Sequence, residues 1–497
     1  MNLSEPLTSA LILAGFGLLL TLAVSLSRAS AKLGVPVALG FLLVGVVAGS
    51  EGVGGIAFED YHLTFRIGTA ALALILFDGG LNTPVASVRS VFGPAAVLAT
   101  VGVILTATAT AVAAHWLGLA WPVALLLGAI VSSTDAAAVF AVLSASGVKL
   151  KDRVGHLLEV ESGLNDPMAV ILTTALTANI IAPGSETVGV VLGRVVIEMA
   201  LGGVIGYVVG RVAHWRLVRM RLPAQGLYPA FTLGVACLAY GLPTLAHGSG
   251  FLGVYVAGVV LGSRSFPHAV GVRRVHDALG WLSQISMFLI LGLLVFPSRL
   301  ADVALIGLAI ALVLAFIARP VVVALCLAPF RLPMREVGYV GWVGLRGAVP
   351  IVLATIPVMS GVPQSRELFD LVFFIVVVGA FLPGSTVPWI SRRLGVAAPP
   401  TQRTVEAPII VVEQPTGEME LRSFRIEPSV AVFGATLGEV PMPQGSAITV
   451  IDRGGTLLAP KRALVLEDGD GAYILYRSED SQMIELMFGP ATEETAD

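Results

Sequence analysis

The stretch Val160–Ala169, VESGLNDPMA, lies inside an otherwise apolar run from Leu157 to Ile181. Glu161 and Asp166 place two carboxylates within six residues, with Asn165 beside the second and Pro167 after it. A charge at the centre of a bilayer costs roughly 2.5–3.5 kcal/mol on insertion scales, so an intramembrane acid is a functional hypothesis by default. Whether this run spans a membrane therefore decides both fold and function.

Composition answers first. Soluble domains carry about 25% charged residues. This chain of 497 residues carries 13% and is 56% hydrophobic, with a mean hydropathy of +0.88. Those values place it in a membrane. The formal net charge of −3 gives no sign of a nucleic-acid partner. Cys237 and Cys326 both sit in apolar runs, which leaves no disulfide framework and no CxxC metal pair. The seven histidines form no HExxH. The first apolar run, Leu7 to Ser27, has no basic residue before it and reads as a first helix rather than a cleaved signal.

Working outward, apolar segments of spanning length recur from Leu7 to about Ile390, and thirteen are read. The fourth is placed from Pro94 to Trp116, the seventh from Val188 to Gly210 and the tenth from Ala278 to Phe296. An odd number puts the termini on opposite sides. With the N-terminus outside, the inner loops hold Arg28 and Lys32, Arg89, Lys149 to Arg153, Arg211 to Arg221, Arg264 to Arg274, Arg331 and Arg335, and Arg392 and Arg393. The outer loops hold only Arg66, Arg299 and Arg366. This asymmetry makes the C-terminus cytoplasmic.

Composition changes after Arg393. The expected organisation is a transmembrane domain over 1–393, a polar linker over 394–412 and a small α+β cytoplasmic domain over 413–497. In the last part, Glu420–Ile426 alternates as a half-buried strand, AITVIDRGGTLLAP reads as two strands around Gly454-Gly455, and GAYILY as another.

Two of the spans are interrupted by polar or glycine-rich stretches. The fifth contains VSSTDAAAV and the twelfth GLRGAVPIV. Grouped as six spans, one linker and six spans, both are the fifth member of their half. Paired interrupted helices in inverted halves are a signature of secondary transporters with a midplane site. The fold class is thus an all-α polytopic membrane protein of about thirteen transmembrane helices, with inverted repeats and two broken crossing helices.

Near mid-depth lie Asp135, Glu161, Asp166, Arg319 and Arg346. Ser132, Ser133 and Thr134 can replace backbone hydrogen bonds where the fifth span unwinds, and Asp135 is placed to cap the half-helix that follows. Ser162 and Asp166 are four apart and share a helical face. At 100° per residue, Glu161 lies about 140° around from Asp166, which gives the two carboxylates different partners. Asp166 reads as the cation and proton carrier and Glu161 as a structural acid seeking an arginine. Arg346 can oppose the negative end of a half-helix. Asp78 sits near the cytoplasmic end of its span as a mouth charge, and Arg194 and Glu198, four apart, neutralise each other.

FDGGL, SSTDAAAVF, VESGLNDP, ARP and GLRGAVP, in this order, resemble the NhaP branch of the monovalent cation/proton antiporters, relatives of the sodium/proton exchangers. The C-terminal LGEVPMPQGSAITVIDRGGTLLAP is similar to the TrkA-C (RCK-C) regulatory domain. The combination resembles the potassium/proton antiporters associated with cell-volume regulation. No GxGxxG precedes the C-terminal part, so the nucleotide-binding half of full RCK modules is not expected.

The resemblance implies a homodimer in the bacterial inner membrane that moves its ion by an elevator motion, with no cofactor. It implies that Thr134 (through its carbonyl), Ser162 and Asp166 contact potassium or sodium, with Asp135 acting nearby. Asn165 takes the place of the second aspartate of electrogenic relatives, so exchange should be one for one. Glu161 would pair with Arg319, and Arg346 would support the crossing of the broken helices. A nucleotide or a protein would be the ligand of the C-terminal domain. The competing reading is a cation channel gated by that domain; the chain has no TVGYG-like filter. A hydrolase lacks HExxH, GxSxG or paired catalytic aspartates.

Overall fold

The computed structural model describes residues 6–32, 36–184, 187–398, 412–414, 417–454 and 456–489. Two compact units emerge, Met1–Ala398 and Pro399–Asp497. The first is entirely helical. In chain order its helices are α1 (Leu7–Lys32), α2 (Val37–Ala48), α3 (Tyr61–Asn82), α4 (Val85–Val97), α5 (Val103–Trp116), α6 (Trp121–Ile130), α7 (Ala136–Ala145), α8 (Asp152–Ile181) and α9 (Val188–Arg219). They continue as α10 (Leu227–Leu245), α11 (Gly250–Gly262), α12 (Ala269–Leu293), α13 (Pro297–Val313), α14 (Arg319–Leu327), α15 (Met334–Trp342), α16 (Ala348–Met359) and α17 (Ser365–Arg393).

Helix is the obligatory form here, because lipid offers no partners to the backbone and every N–H and C=O must bond within its own segment. Polar side chains start several helices: Asp60 accepts from Leu63 N at 2.8 Å and Ser249 from Leu252 N at 3.3 Å. Eight helical stretches among the described residues are long and apolar enough to cross a membrane one by one. Others, such as α2, α11 and the three pieces α6, α7 and α16, are apolar but short.

The order of packing repeats. Joining α4 to α5, α6 to α7, α13 to α14 and α15 to α16 leaves α9 between two sets of six helical segments. In the first set α1 packs on α2, α4 on α8 and α5 on α6; in the second α10 packs on α11, α13 on α17 and α14 on α15. Across the sets, α2 packs on α12 as α11 packs on α3. Equivalent glycines make those cross-contacts. A Cβ on Gly45 would lie 2.3 Å from Leu289 O, and one on Gly258 2.6 Å from Phe77 O. The fourth segment of each set also carries a π-helical stretch, Leu98–Gly102 and Leu314–Ala318. Such repetition in position after position is what a duplicated half produces.

Three sequence readings need correction. The fourth segment begins at Val85, not Pro94, so Arg89 is on a helix and not in a loop. Arg66 likewise lies on α3, and Arg211, Arg216 and Arg219 lie on α9, which runs nine residues past Gly210. The physical reason is the length of arginine: its stem follows apolar surface while the guanidinium reaches water, so the helix need not end before it. Third, residues 394–398 belong to the helical unit. Lys151 N donates to Val396 O at 2.9 Å, Ala398 N donates to Lys149 O at 2.8 Å, and Val396 is buried. Of the rest of the expected linker, 399–411 lies outside the described residues, as do Gly455 and the side chains of Arg28 and Lys32, and Val412 lies in a strand.

In the second unit β1 (Val412–Gln414), β2 (Gly417–Arg425), β3 (Ala447–Arg453), β4 (Thr456–Leu458) and β5 (Gly471–Arg477) form one antiparallel sheet in the order β1-β2-β5-β3-β4. Helix α18 (Ser481–Phe488) buries Ile484 and Phe488 in the same core as Phe424, Ile451 and Tyr476. Arg453 grips the buried Asp470 with two hydrogen bonds of 2.8 Å, a fork-on-carboxylate contact that fixes the turn before β5.

Candidate functional site

Two breaks meet beside α8. Between α6 and α7 the chain leaves the helix over 131–135, and between α15 and α16 over 343–347. Asp135 N donates to Leu345 O at 2.8 Å, so the two unwound segments satisfy one another. Asp135 then caps α7, its carboxylate accepting from Ala138 N at 3.2 Å.

The glycines around Arg346 have a steric reason. A Cβ at Gly347 would lie 1.7 Å from Asp135 Oδ2, and one at Gly344 would lie 2.8 Å from Arg319 Nε. Only a residue without a side chain lets both breaks approach. Arg346 itself is buried and donates from Nε to Val131 O at 3.3 Å, at the C-terminal end of α6. It also donates from Nη1 to Gly344 O. The guanidinium therefore faces the negative end of a half-helix.

On α8, Ser162 Oγ donates to Thr134 O at 3.1 Å and accepts from Ala136 N at 3.3 Å. Asn165 Nδ2 donates to Thr134 Oγ1 at 2.7 Å. Thr134, Ser162 and Asn165 are thus one hydrogen-bonded group, joined to the start of α7 through Ala136 N. Asp166 stands beside it, 7% exposed, with Oδ1 buried and bonded to nothing in the protein. Asp135 is the ionisable neighbour whose charge acts on it.

Glu161 turns the other way. Its Oε1 lies 2.5 Å from Arg319 Nη2, the two side chains being 1% and 3% exposed. Arg319 opens α14 directly after the π-helical stretch, and Pro320 packs under Gly341 of α15. The Glu161–Arg319 charges act on Arg346 as well, so these three form a charged group behind the breaks.

Asp78 is not part of either group. It lies where α3 meets α12, bonded to Asn82 Nδ2 at 3.2 Å and close to Gly280. Arg194 and Glu198 pair at 2.5 Å along α9. The sequence reading passed over a further pair, Arg299 and Asp370, whose Nε and Oδ2 are 3.2 Å apart. Asp370 is 3% exposed and lies on α17. The signal was present in RELFDLV, an acid one turn inside an apolar helix. Also missed was Tyr255, whose ring lies 2.9 Å from where a Cβ of Gly163 would sit. Among the described residues no cluster of His, Cys, Asp and Glu could hold a resident metal.

A duplicated helical unit with two unwound helices crossing beside a partnerless buried acid is the construction of a secondary transporter. The comparison with known families agrees: residues 18–393 match the transmembrane sodium/hydrogen exchanger family, and the chain belongs to it. Its relatives in that family are antiporters and not enzymes. The K(+)/H(+) antiporter NhaP2 of Shewanella oneidensis is 40% identical over 479 residues, covering 96% of this chain and 83% of the relative. The K(+)/H(+) antiporter NhaP of Alkalimonas amylolytica is 39% identical over 465 residues, covering 93% and 81%. The solved sodium proton antiporter MjNhaP1 of Methanocaldococcus jannaschii superposes with a TM-score of 0.67 at 23% identity. It covers 77% of this chain and 98% of that structure, a likeness of fold.

Proposed function

We propose that the protein exchanges one potassium or sodium ion for one proton, with Asp166 carrying each in turn. The carrying observation is the contrast among the three acids beside the breaks. Glu161 has its arginine, Asp135 has the N-terminus of α7, and the buried Oδ1 of Asp166 has no protein partner. An ionised carboxylate left so would be costly, so the group must hold a cation or a proton. Competition for one carboxylate couples the two fluxes. Thr134 through its carbonyl and Ser162 through its hydroxyl complete the cation's oxygen shell, Asp135 acts alongside, and Asn165 and Arg346 hold the unwound segments in place. Asn165 cannot ionise, which makes the cycle electroneutral.

In this reading the short and broken helices also cross, giving thirteen passages. The odd α9 then inverts one six-helix set against the other, the N-terminus lies outside and the C-terminal unit is cytoplasmic. The family resemblance supports a homodimer, elevator-type alternating access and regulation by a TrkA-C-like domain. Potassium as the cargo is supported by the two curated relatives named above. The test is dye-reported proton flux in proteoliposomes with potassium and sodium offered separately. Wild type should acidify or alkalinise against either active cation, and Asp166→Asn should be inert while remaining folded. Transport by that variant would end the proposal; cation flux uncoupled from protons would indicate a channel.

A further inference from the structure

Between Glu198 and Asp277 the chain contains seven arginines and no Asp or Glu. Three of them, Arg211, Arg216 and Arg219, lie in the last turns of α9. Arg221 follows in the next connection, Arg264 lies after α11, and Arg273 and Arg274 lie at the start of α12. Contacts gather these segments into one corner. His214 Nε2 lies 3.2 Å from Ser265 O, Arg273 Nη2 donates to Gly262 O at 3.0 Å, and the rings of Tyr228 and His268 are 4.5 Å apart.

Elsewhere on this side of the helical unit some cations have protein partners: Arg153 pairs with Glu336 at 2.5 Å, and Arg392 donates to Ser146 O at 3.3 Å. At the corner Arg216, Arg219, Arg221, Arg264 and Arg274 are exposed, and none forms an ion pair among the described residues. Orientation of the chain requires basic residues here, but it does not require the exclusion of every acid. It also does not require that arginines be held in place. Arg219 lies 4.7 Å and Arg216 5.8 Å from the centre of the Trp215 ring, which orders two guanidinium groups around one exposed indole.

The surroundings identify the partner. Val208, Val212 and Val218 alternate with these arginines on α9 and are 51%, 54% and 51% exposed; Val270 on α12 is 52% exposed. A soluble polyanion would find this surface half wrong, whereas a phospholipid has a phosphate for the guanidinium groups and acyl chains for the valines. Trp215 at the same level suits the membrane interface. We infer that the corner formed by the end of α9 and the start of α12 binds the headgroup of an anionic phospholipid. The leaflet, cytoplasmic, rests on the orientation proposed above; the binding itself does not.

The test uses the full chain purified in a neutral detergent, with thermal unfolding followed on addition of phosphatidylglycerol, phosphatidylcholine or inorganic phosphate. Phosphatidylglycerol should raise the wild-type midpoint by several degrees, and the other two should leave it unchanged. In the double variant Arg216→Gln/Arg219→Gln the phosphatidylglycerol shift should fall to less than half. In Arg392→Gln/Arg393→Gln, which removes the same charge elsewhere, it should persist. An equal shift in the first variant and wild type, an equal loss in both variants, or a shift produced by inorganic phosphate alone would each overturn the inference. Antiport in both variants, measured with the same dye assay, should stay within two-fold of wild type. Loss of antiport in the α9 variant without loss of the lipid shift would likewise contradict it.

Discussion

Glu161→Gln isolates what the buried pair contributes. Glu161 and Arg319 are almost wholly enclosed, 2.5 Å apart, and Arg346 adds a second buried cation nearby. In the variant two guanidinium groups remain with no anion beside them. Breaking a buried pair from one side typically costs about 3–5 kcal/mol, because the surviving charge is left uncompensated. A glutamine oxygen can still accept from Arg319 Nη2, which puts the expected loss near the lower end, about 3 kcal/mol. Arg319→Leu alone should cost as much or more, since it strands a carboxylate whose Oε2 already lacks a partner. The double variant should recover part of the loss, because neither charge is then left buried alone. Thermal unfolding of the four proteins in one detergent closes the cycle. Additive losses would refute the pairing and return Arg346 as the partner of Glu161.

Gly347→Ala places a methyl 1.7 Å from Asp135 Oδ2. It should therefore abolish antiport sterically, and flux above a tenth of wild type would show that the breaks do not need their closeness. Glu51 accepts from Ser298 N at 2.8 Å and from its hydroxyl at 2.5 Å, and these bonds hold its carboxyl below the ordinary value of 4.5. With a depressed folded-state pKa, the stabilisation is complete above pH 4.5 and disappears as pH falls through the lower native value. Midpoint-against-pH curves of Glu51→Gln and wild type should accordingly differ above pH 4.5 and converge below it; parallel curves would contradict this. Truncation after Ala398 keeps the contacts of Val396 and Ala398 with residues 149–151. The shortened protein should transport with an altered pH or cation response, and an unchanged profile would remove the regulatory role.

Much of the site was legible because membrane chemistry makes polar residues conspicuous. Asp135, Glu161 and Asp166 stand out against apolar surroundings, and the 140° between the last two already required separate partners. SSTD and GLRGA announced the breaks. What the sequence did not disclose is where helices end. Hydropathy alone places Arg89, Arg211 and Arg219 in loops, since it falls at a charge while the backbone, free to let long side chains reach water, stays helical. Residues 394–398 were read as linker because bridges such as Leu150 to Ala397 depend on the fold and leave no local pattern. The need for glycine at 344 and 347 was equally invisible, because it arises from side chains 25 and 212 positions away. The acid of the Arg299–Asp370 pair is visible in RELFDLV, but its partner lies 71 positions away and only the fold brings the two together.

The central claim is that Asp166 alone alternates between cation and proton. Asp135 is the threat to it, being a second acid that acts electrostatically on the first. Its carboxylate is engaged by Ala138 N as the cap of α7. The direct measurement is cation-driven proton flux in proteoliposomes whose membrane potential is clamped at several values. One-for-one exchange predicts flux with the same reversal point at every voltage. A reversal point that moves with voltage would mean that more charge crosses in one direction, that Asp135 carries protons too, and that the neutral Asn165 does not set the stoichiometry.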